Sequence, residues 1–336
     1  MLKKEIIYIN IMAKLDIDIS INSYLDDNSF NPNHLYLNFD GKSVNHVILN
    51  TIRRVILEDI PSVAFNVNKI NISKNSSIYN NDYMSNRIEN LPLIGINFPL
   101  DLDEYNNLRK YYRGFKLLND DKEDDENEVT IYCNIKNNKD SILNVTSDDI
   151  EFYRKGKKIK SIYENPILLL KLKMNEEFEF SAKSDKGVAM NHSRYSTVGV
   201  CCYEMIDDKK FLLKIEPRGQ LNINDILDRC CEIIKFRLKL ILDKIMKTKF
   251  TNDNHGKILL GNEDHTFGSI LSRGLQDHKN IEFAGYRMDH LLIRDVTIEY
   301  ITNGGKSISE IIKDVIDDYI KLFDMIHSKF KKLDLS

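Results

Sequence analysis

Proline and glycine are scarce, 6 and 14 residues in a chain of 336, which argues against a turn-dense β-sandwich and against long linkers. Mostly regular structure is expected. No sign of charge prevails: 48 Lys+Arg face 51 Asp+Glu for a formal net charge of -3, so no field of one sign marks the chain for autonomous binding to nucleic acid or to an anionic membrane. Cysteine is sparse. Cys133, Cys201, Cys202, Cys230 and Cys231 form an odd set with two vicinal pairs and no C-x-x-C, and no histidine stands three to five residues from another. Neither a zinc knuckle nor a disulfide framework fits that pattern. Long apolar runs are missing too, with nothing near the ~20 residues of a membrane span. The segment 1–11 carries Lys3, Lys4 and Glu5, and its short apolar stretch is broken by Asn10, so it does not read as a signal peptide. The expectation is a soluble intracellular chain whose sequons at Asn71, Asn75, Asn144 and Asn191 stay unglycosylated. What is abundant is Asn, Ile and Lys, the mark of an AT-rich genome, within a 42% hydrophobic composition that can fill more than one core.

The patterning gives α+β elements in a definite order. Leu35 to Phe39 alternates and stops at Asp40-Gly41, a strand and its turn. A helix follows, with Val44, Val47, Ile48, Ile52, Val55 and Ile56 on one face, Arg53, Arg54 and Glu58 off that stripe or at its edge, and Pro61 as its stop. Strand alternation resumes from Val63 to Ile72, and Arg87 to Leu93 leads into a less regular region. The acidic run 119–128 reads as a solvated loop. Short β-like runs such as Thr130 to Ile135 and Glu177 to Ala182 then form an inserted β-rich subdomain. Phe211 to Glu216 is a strand, 217–219 a turn, and Ile223 to about Met246 a long amphipathic helix in which Cys230 is a core residue. Residues 248–256 break the pattern as a linker. Beyond it come a strand from Lys257 to Leu260, a helix, strands at Ile281 to Tyr286 and Leu291 to Ile301, and a final helix from Ile308 to Ile326 with a Ser307/Glu310 capping box.

The second part repeats the first. Residues 45–56 and 264–275 superpose without gaps, so that His46 meets His265 and Arg54 meets Arg273. Each copy follows a strand, and each half closes with a long amphipathic helix. One such unit leaves its sheet and helix half bare. Two units on one chain can cover each other as an intramolecular pseudo-dimer; the alternative is a chance match between two amphipathic helices.

Chemistry-bearing motifs fail on inspection. Gly41-Lys42-Ser43 and Gly305-Lys306-Ser307 lack the earlier glycine of a phosphate loop, since Tyr36 and Tyr300 stand there, and read as capping turns. Glu263, Asp264, His265 and the distant His290 can be drawn as a hydrolytic metal site. However, acidic residues at a helix start are expected from the dipole alone, and His46 has no such neighbours.

Three stretches carry a resemblance. Residues 50–64 with Arg87-Ile88-Glu89-Asn90-Leu91-Pro92-Leu93, and Lys186-Gly187-Val188-Ala189 with Asn191-His192-Ser193-Arg194-Tyr195, resemble the alpha-like family of multisubunit RNA polymerases, in particular the third-largest subunit of polymerase II and archaeal D. Glu263-Asp264-His265-Thr266-Phe267-Gly268, Phe283-Ala284-Gly285-Tyr286-Arg287 and His290 resemble the eleventh subunit, or archaeal L. These subunits normally form a heterodimer; here they look fused, as is characteristic of large cytoplasmic DNA viruses.

The resemblance implies two alpha-like dimerisation units, 12–59 with 204–247 and 257–336, an insert at 60–203 and a linker at 248–256. It implies a non-catalytic platform on which the largest and second-largest subunits assemble together with smaller ones. DNA would be met only through that complex, with no membrane partner, in a viral factory of the host cytoplasm and in the virion rather than in the nucleus. No catalytic, cofactor-binding or metal-binding residue is implied. Many third-subunit relatives hold a cysteine-ligated zinc or iron–sulfur cluster in the insert, but the ligands are absent here, so a metal-free insert is expected. Family analogy puts Arg53 and Arg54 at the contact with the second-largest subunit, and Arg87 with them in the set facing the large subunits. Val47, Ile48, Ile52, Phe267, Ile270, Leu271, Ile312, Ile316 and Phe323 are expected at the pseudo-dimer seam. Glu89-Asn90-Leu91 and His290-Leu291 depart from the family pattern. The rivals are a stand-alone metal-dependent hydrolase built on Asp264, His265 and His290, and a regulatory module that mimics the platform without entering a polymerase.

Overall fold

The computed structural model describes residues 15–22, 34–96, 98–110, 128–248, 254–290, 295–333 and 335. The segment 1–11, the acidic run up to residue 127, linker residues 249–253 and Leu291 lie outside them. In chain order the elements begin with β1 (Asp18–Ile21), β2 (Leu35–Asp40), α1 (His46–Glu58), β3 (Pro61–Asn75), α2 (Asn81–Glu89) and α3 (Leu102–Lys110). Then come β4 (Val129–Lys136), β5 (Leu143–Thr146), β6 (Glu151–Arg154), β7 (Lys157–Ile159), β8 (Leu168–Leu172) and β9 (Glu177–Val188). The chain continues through β10 (Val198–Asp207), β11 (Lys210–Pro217), α4 (Ile223–Lys247), β12 (His255–Gly261), α5 (His265–Gln276), β13 (Ile281–Arg287), β14 (Asp295–Thr302) and α6 (Ile308–Phe330). The chain divides into two compact units. One draws on Met1–Asp59, Val198–Glu216 and Ile223–Ser336, the other on Ile60–Thr197 and Pro217–Asn222.

The first unit contains both halves of the repeat. Its sheets run β1-β2-β11-β10 and β12-β14-β13. Taking β2, β11 and β10 against β12, β14 and β13, the two halves share one strand order and one sequence of elements: strand, helix, two strands, long helix. Leu35, Leu37 and Phe39 are buried while Tyr36 and Asn38 are only partly covered, as the alternation of β2 requires. Asn45 caps α1 by accepting from the Ile48 N–H at 3.0 Å. At the matching position Asp264 caps α5, accepting from the Thr266 N–H at 2.8 Å. Ser307 and Glu310 form the capping box of α6. Ser43, by contrast, caps nothing: its hydroxyl accepts from the Asp16 N–H at 3.0 Å. The strand β10 pairs in this unit's sheet, and the first unit takes up the chain again at Val198.

The second unit is built on an antiparallel sheet ordered β3-β9-β4-β6-β7, with β5 and β8 paired separately. Its core gathers Phe65, Met84, Ile88, Val129, Ile131, Phe152, Phe178 and Phe180. The helices α2 and α3 are absent from the sequence reading. Among the residues of α2 only Met84, Ile88 and Glu89 are buried, so one apolar pair four residues apart is all the periodicity it shows.

Candidate assembly interface

The seam between the two halves of the first unit is a helix-on-helix contact. Helix α1 packs on α5 and α4, α4 packs on α6, and α5 on α6. The apolar stripes that the 3.6-residue period generates lie on these helices. Val47, Ile48 and Ile52 on α1, Phe267, Ile270 and Leu271 on α5, and Ile312, Ile316 and Phe323 on α6 are all buried, none more than 8% exposed. Each such side chain contributes about 1.5–3 kcal/mol through burial. Gly268 admits close approach: a Cβ there would lie 2.7 Å from a ring carbon of Tyr286 and 2.9 Å from Val296. The Phe-Ala-Gly-Tyr-Arg stretch is therefore joined to the Glu-Asp-His-Thr-Phe-Gly stretch by packing.

A charged triad sits within this apolar seam. Arg237 of α4 is 1% exposed; its Nη1 donates to Asp59 Oδ2 at 2.9 Å, its Nη2 donates to Glu263 Oε2, and its guanidinium lies 3.8 Å from the Phe267 ring centroid. Asp59 is the C-cap of α1, and Glu263 precedes the N-cap of α5, so one guanidinium stitches the first half to the second. The planar fork of arginine fits two separate carboxylates, which lysine would not do. Sequence reasoning missed it, although a signal exists: Arg237 falls between Ile234, Leu238 and Ile241 on the core face of α4. A charge there demands counter-charges.

Arg54 also joins the halves. Its Nε donates to Thr266 Oγ1 at 2.7 Å, its Nη2 pairs with Glu58 Oε2 at 3.1 Å, and Asp264 Oδ2 lies 3.9 Å away. Its side chain remains 26% exposed. Arg53 beside it donates through Nε to Asn50 at 3.0 Å. Arg87 belongs to the second unit, where its Nη2 donates to the Leu168 carbonyl at 2.8 Å and its guanidinium lies over Tyr83. The other two family-like stretches meet in that unit: Arg194 pairs with Glu89 at 2.9 Å, both buried, and Lys186 pairs with Glu104 at 3.1 Å.

The hydrolase alternative loses its carboxylates to these contacts. Glu263 is held by Arg237, and Asp264 caps α5. His265 is exposed, its ring edge against Tyr286 at 5.9 Å between centroids. No group of histidine, cysteine and carboxylate side chains among the described residues is arranged to hold a metal ion. The buried thiols are not nucleophiles either. Burial pushes Cys133 and Cys201 up to about 12 and Cys230 well above the ordinary thiol value.

Two like halves stitched through a buried seam, with carboxylates committed to structure, define an intramolecular dimerisation module. The RNA polymerase Rpb3/Rpb11 dimerisation domain matches residues 38–238 and, a second time, residues 256–329. The chain belongs to this family and is an RNA polymerase subunit of the Rpb3/Rpb11 type. It is 29% identical over 344 residues to a protein of Acanthamoeba polyphaga mimivirus described as a DNA-directed RNA polymerase subunit, covering 95% of both chains. It is 24% identical over 284 residues to the RPAC1 subunit of RNA polymerases I and III of Saccharomyces cerevisiae, covering 75% of this chain and 80% of the relative. The archaeal subunit Rpo11 of Methanocaldococcus jannaschii is 31% identical over 97 residues, which cover 26% of this chain and 95% of the relative.

Proposed function

We propose that this chain is the assembly platform of a viral DNA-directed RNA polymerase, a fused counterpart of a two-subunit dimer, on which the largest and second-largest subunits and smaller ones are built. The observation that carries the reading is the Arg237 stitch between Asp59 and Glu263. A seam closed by a buried charge triad inside one chain favours a permanently assembled scaffold over a partner exchanged during the reaction. The platform itself contributes no catalytic group and meets DNA through the complex. In this reading the chain works in the host cytoplasm, in a viral factory, and in the virion; its likeness to a viral polymerase subunit supports the viral origin alone.

Arg53 and Arg54 form the proposed contact with the second-largest subunit, with Arg87 as a further contact to the large subunits. Arg54 has a double role in this reading, since its side chain stays 26% exposed while it binds Thr266 and Glu58. The test is to tag the full chain at its C-terminus, purify it from producing cells at moderate salt, weigh what accompanies it by mass spectrometry, and assay DNA-templated RNA synthesis. Two very large partners at one-to-one-to-one with activity are expected. A lone chain, or one with partners of another kind, refutes the platform. Arg54→Ala should leave the chain folded, with a loss of about 1 kcal/mol from the Thr266 contact, and should release the second-largest subunit; unchanged co-purification refutes that contact.

A further inference from the structure

The two halves match in topology but differ in how one corner of each is filled. The self-match of 45–56 with 264–275 sets Arg54 against Arg273 and Asn45 against Asp264; carried a few residues further at the same offset, it sets Glu58 and Asp59 at the end of α1 against Asp277 and His278 beyond α5, and Val44 against Glu263. At the first corner the Arg237 guanidinium occupies the space and answers the carboxylates. At the second corner α6 brings Tyr319 and Leu322 instead of an arginine, and the space is an open cavity of about 410 Å³, within the usual range for specific ligand sites.

The lining of the cavity has a definite character. Ile48, Val315 and Leu322 supply apolar wall, while Lys42 and Lys209 stand exposed at the rim. The carboxylates on the lining already have partners: Asp277 accepts from Arg273 Nε at 3.0 Å, and Asp318 pairs with Lys321 at 3.2 Å. His278 lies 3.8 Å from Asp314. Neither Lys42 nor Lys209 has an ion-pair partner among the described residues. The corner that holds an arginine is acidic; its counterpart has His278 in place of Asp59 and Asn45 in place of Asp264, with Lys42 and Lys209 on its lining. Its complement is a negative charge with apolar neighbours.

We propose that this cavity receives an aspartate or glutamate side chain carried on an extended segment of another polymerase subunit. The carboxylate sits between Lys42 and Lys209, and the flanking residues rest against Ile48, Val315 and Leu322. This rests on the reading of the chain as a polymerase platform. A basic segment would meet Lys42 and Lys209 and be repelled, and a bare inorganic anion would leave the apolar wall uncovered.

The test uses the full chain co-expressed with its polymerase partners, with a genetically encoded photo-crosslinking residue in place of Lys209. The expected product is a crosslink to one segment of another subunit containing Asp or Glu within a few residues. Lys42→Glu combined with Lys209→Glu should reduce retention of that subunit about tenfold at fixed salt, without moving the urea midpoint of the isolated chain, and converting the crosslinked acidic residue to lysine should restore retention. A crosslink to a segment with no acidic residue, no crosslink in an assembled complex, or full retention by the double variant overturns the proposal. If the unmodified chain brings down no large subunit at all, the platform reading has failed first and the proposal falls with it.

Discussion

Removing the Arg237 guanidinium should cost more than any other single change at the seam. Two hydrogen bonds between charged groups are lost, each worth about 1.5–3 kcal/mol, together with the stacking on Phe267 at 3.8 Å. The larger consequence is what remains: Asp59 at 3% and Glu263 at 5% side-chain exposure, with the cation between them gone. Breaking one member out of a buried ion set typically costs about 3–5 kcal/mol, whereas replacing the whole set by uncharged groups of similar volume is close to neutral. Arg237→Leu should therefore lose about 3–5 kcal/mol. The triple variant Arg237→Leu, Asp59→Leu, Glu263→Met, apolar throughout, should recover most of it. The assay is urea unfolding of the full chain followed by circular dichroism, with the slope compared between variants so that a change in midpoint can be read as stability. A loss under about 1 kcal/mol for Arg237→Leu, or a triple variant no more stable than the single one, would show that the triad does not hold the seam.

Three further outcomes follow from local geometry. Gly41 has φ +135°, and a Cβ there would lie 2.2 Å from the Asp16 carbonyl oxygen, so Gly41→Ala should destabilise the first unit by at least about 2 kcal/mol; an unchanged melting curve would contradict the turn. Ser307→Ala removes the hydroxyl that accepts from the Glu310 N–H at 3.3 Å and should cost about 1 kcal/mol by urea titration, while no measurable loss would mean the capping box contributes nothing. Cys202 is exposed, whereas burial raises the other thiols, Cys133 and Cys201 to about 12. At pH 8 one thiol should therefore react quickly with a disulfide reagent and the other four only as the chain unfolds; rapid reaction of a second thiol would refute that burial pattern.

Much of the fold was legible because it is written in short-range patterns. The alternation of β2, the stripes of α1, α4 and α6, the Ser307 capping box and the match of 45–56 with 264–275 all depend on residues within one or two turns of each other. The short helices α2 and α3 escaped because so few of their residues face a core. The position of Cys230 in the α4 stripe already implies its burial. The Glu-Asp-His-Thr stretch illustrates the opposite situation: its residue types allow either a metal site or a helix start, and local sequence cannot choose between them.

The sequence by itself determined the elements, their order, the internal repeat and the family likeness, because periodicity and capping act over spacings of two to four residues. Only the tertiary structure decided what the charged residues do. Arg237 meets Asp59 across 178 residues of chain and Glu263 across 26, and Arg54 meets Thr266 across 212. No local pattern encodes such pairings; they exist because the packed seam excludes water and makes an unanswered charge too costly. The same packing filled one corner of the pseudo-dimer with an arginine and left its counterpart open.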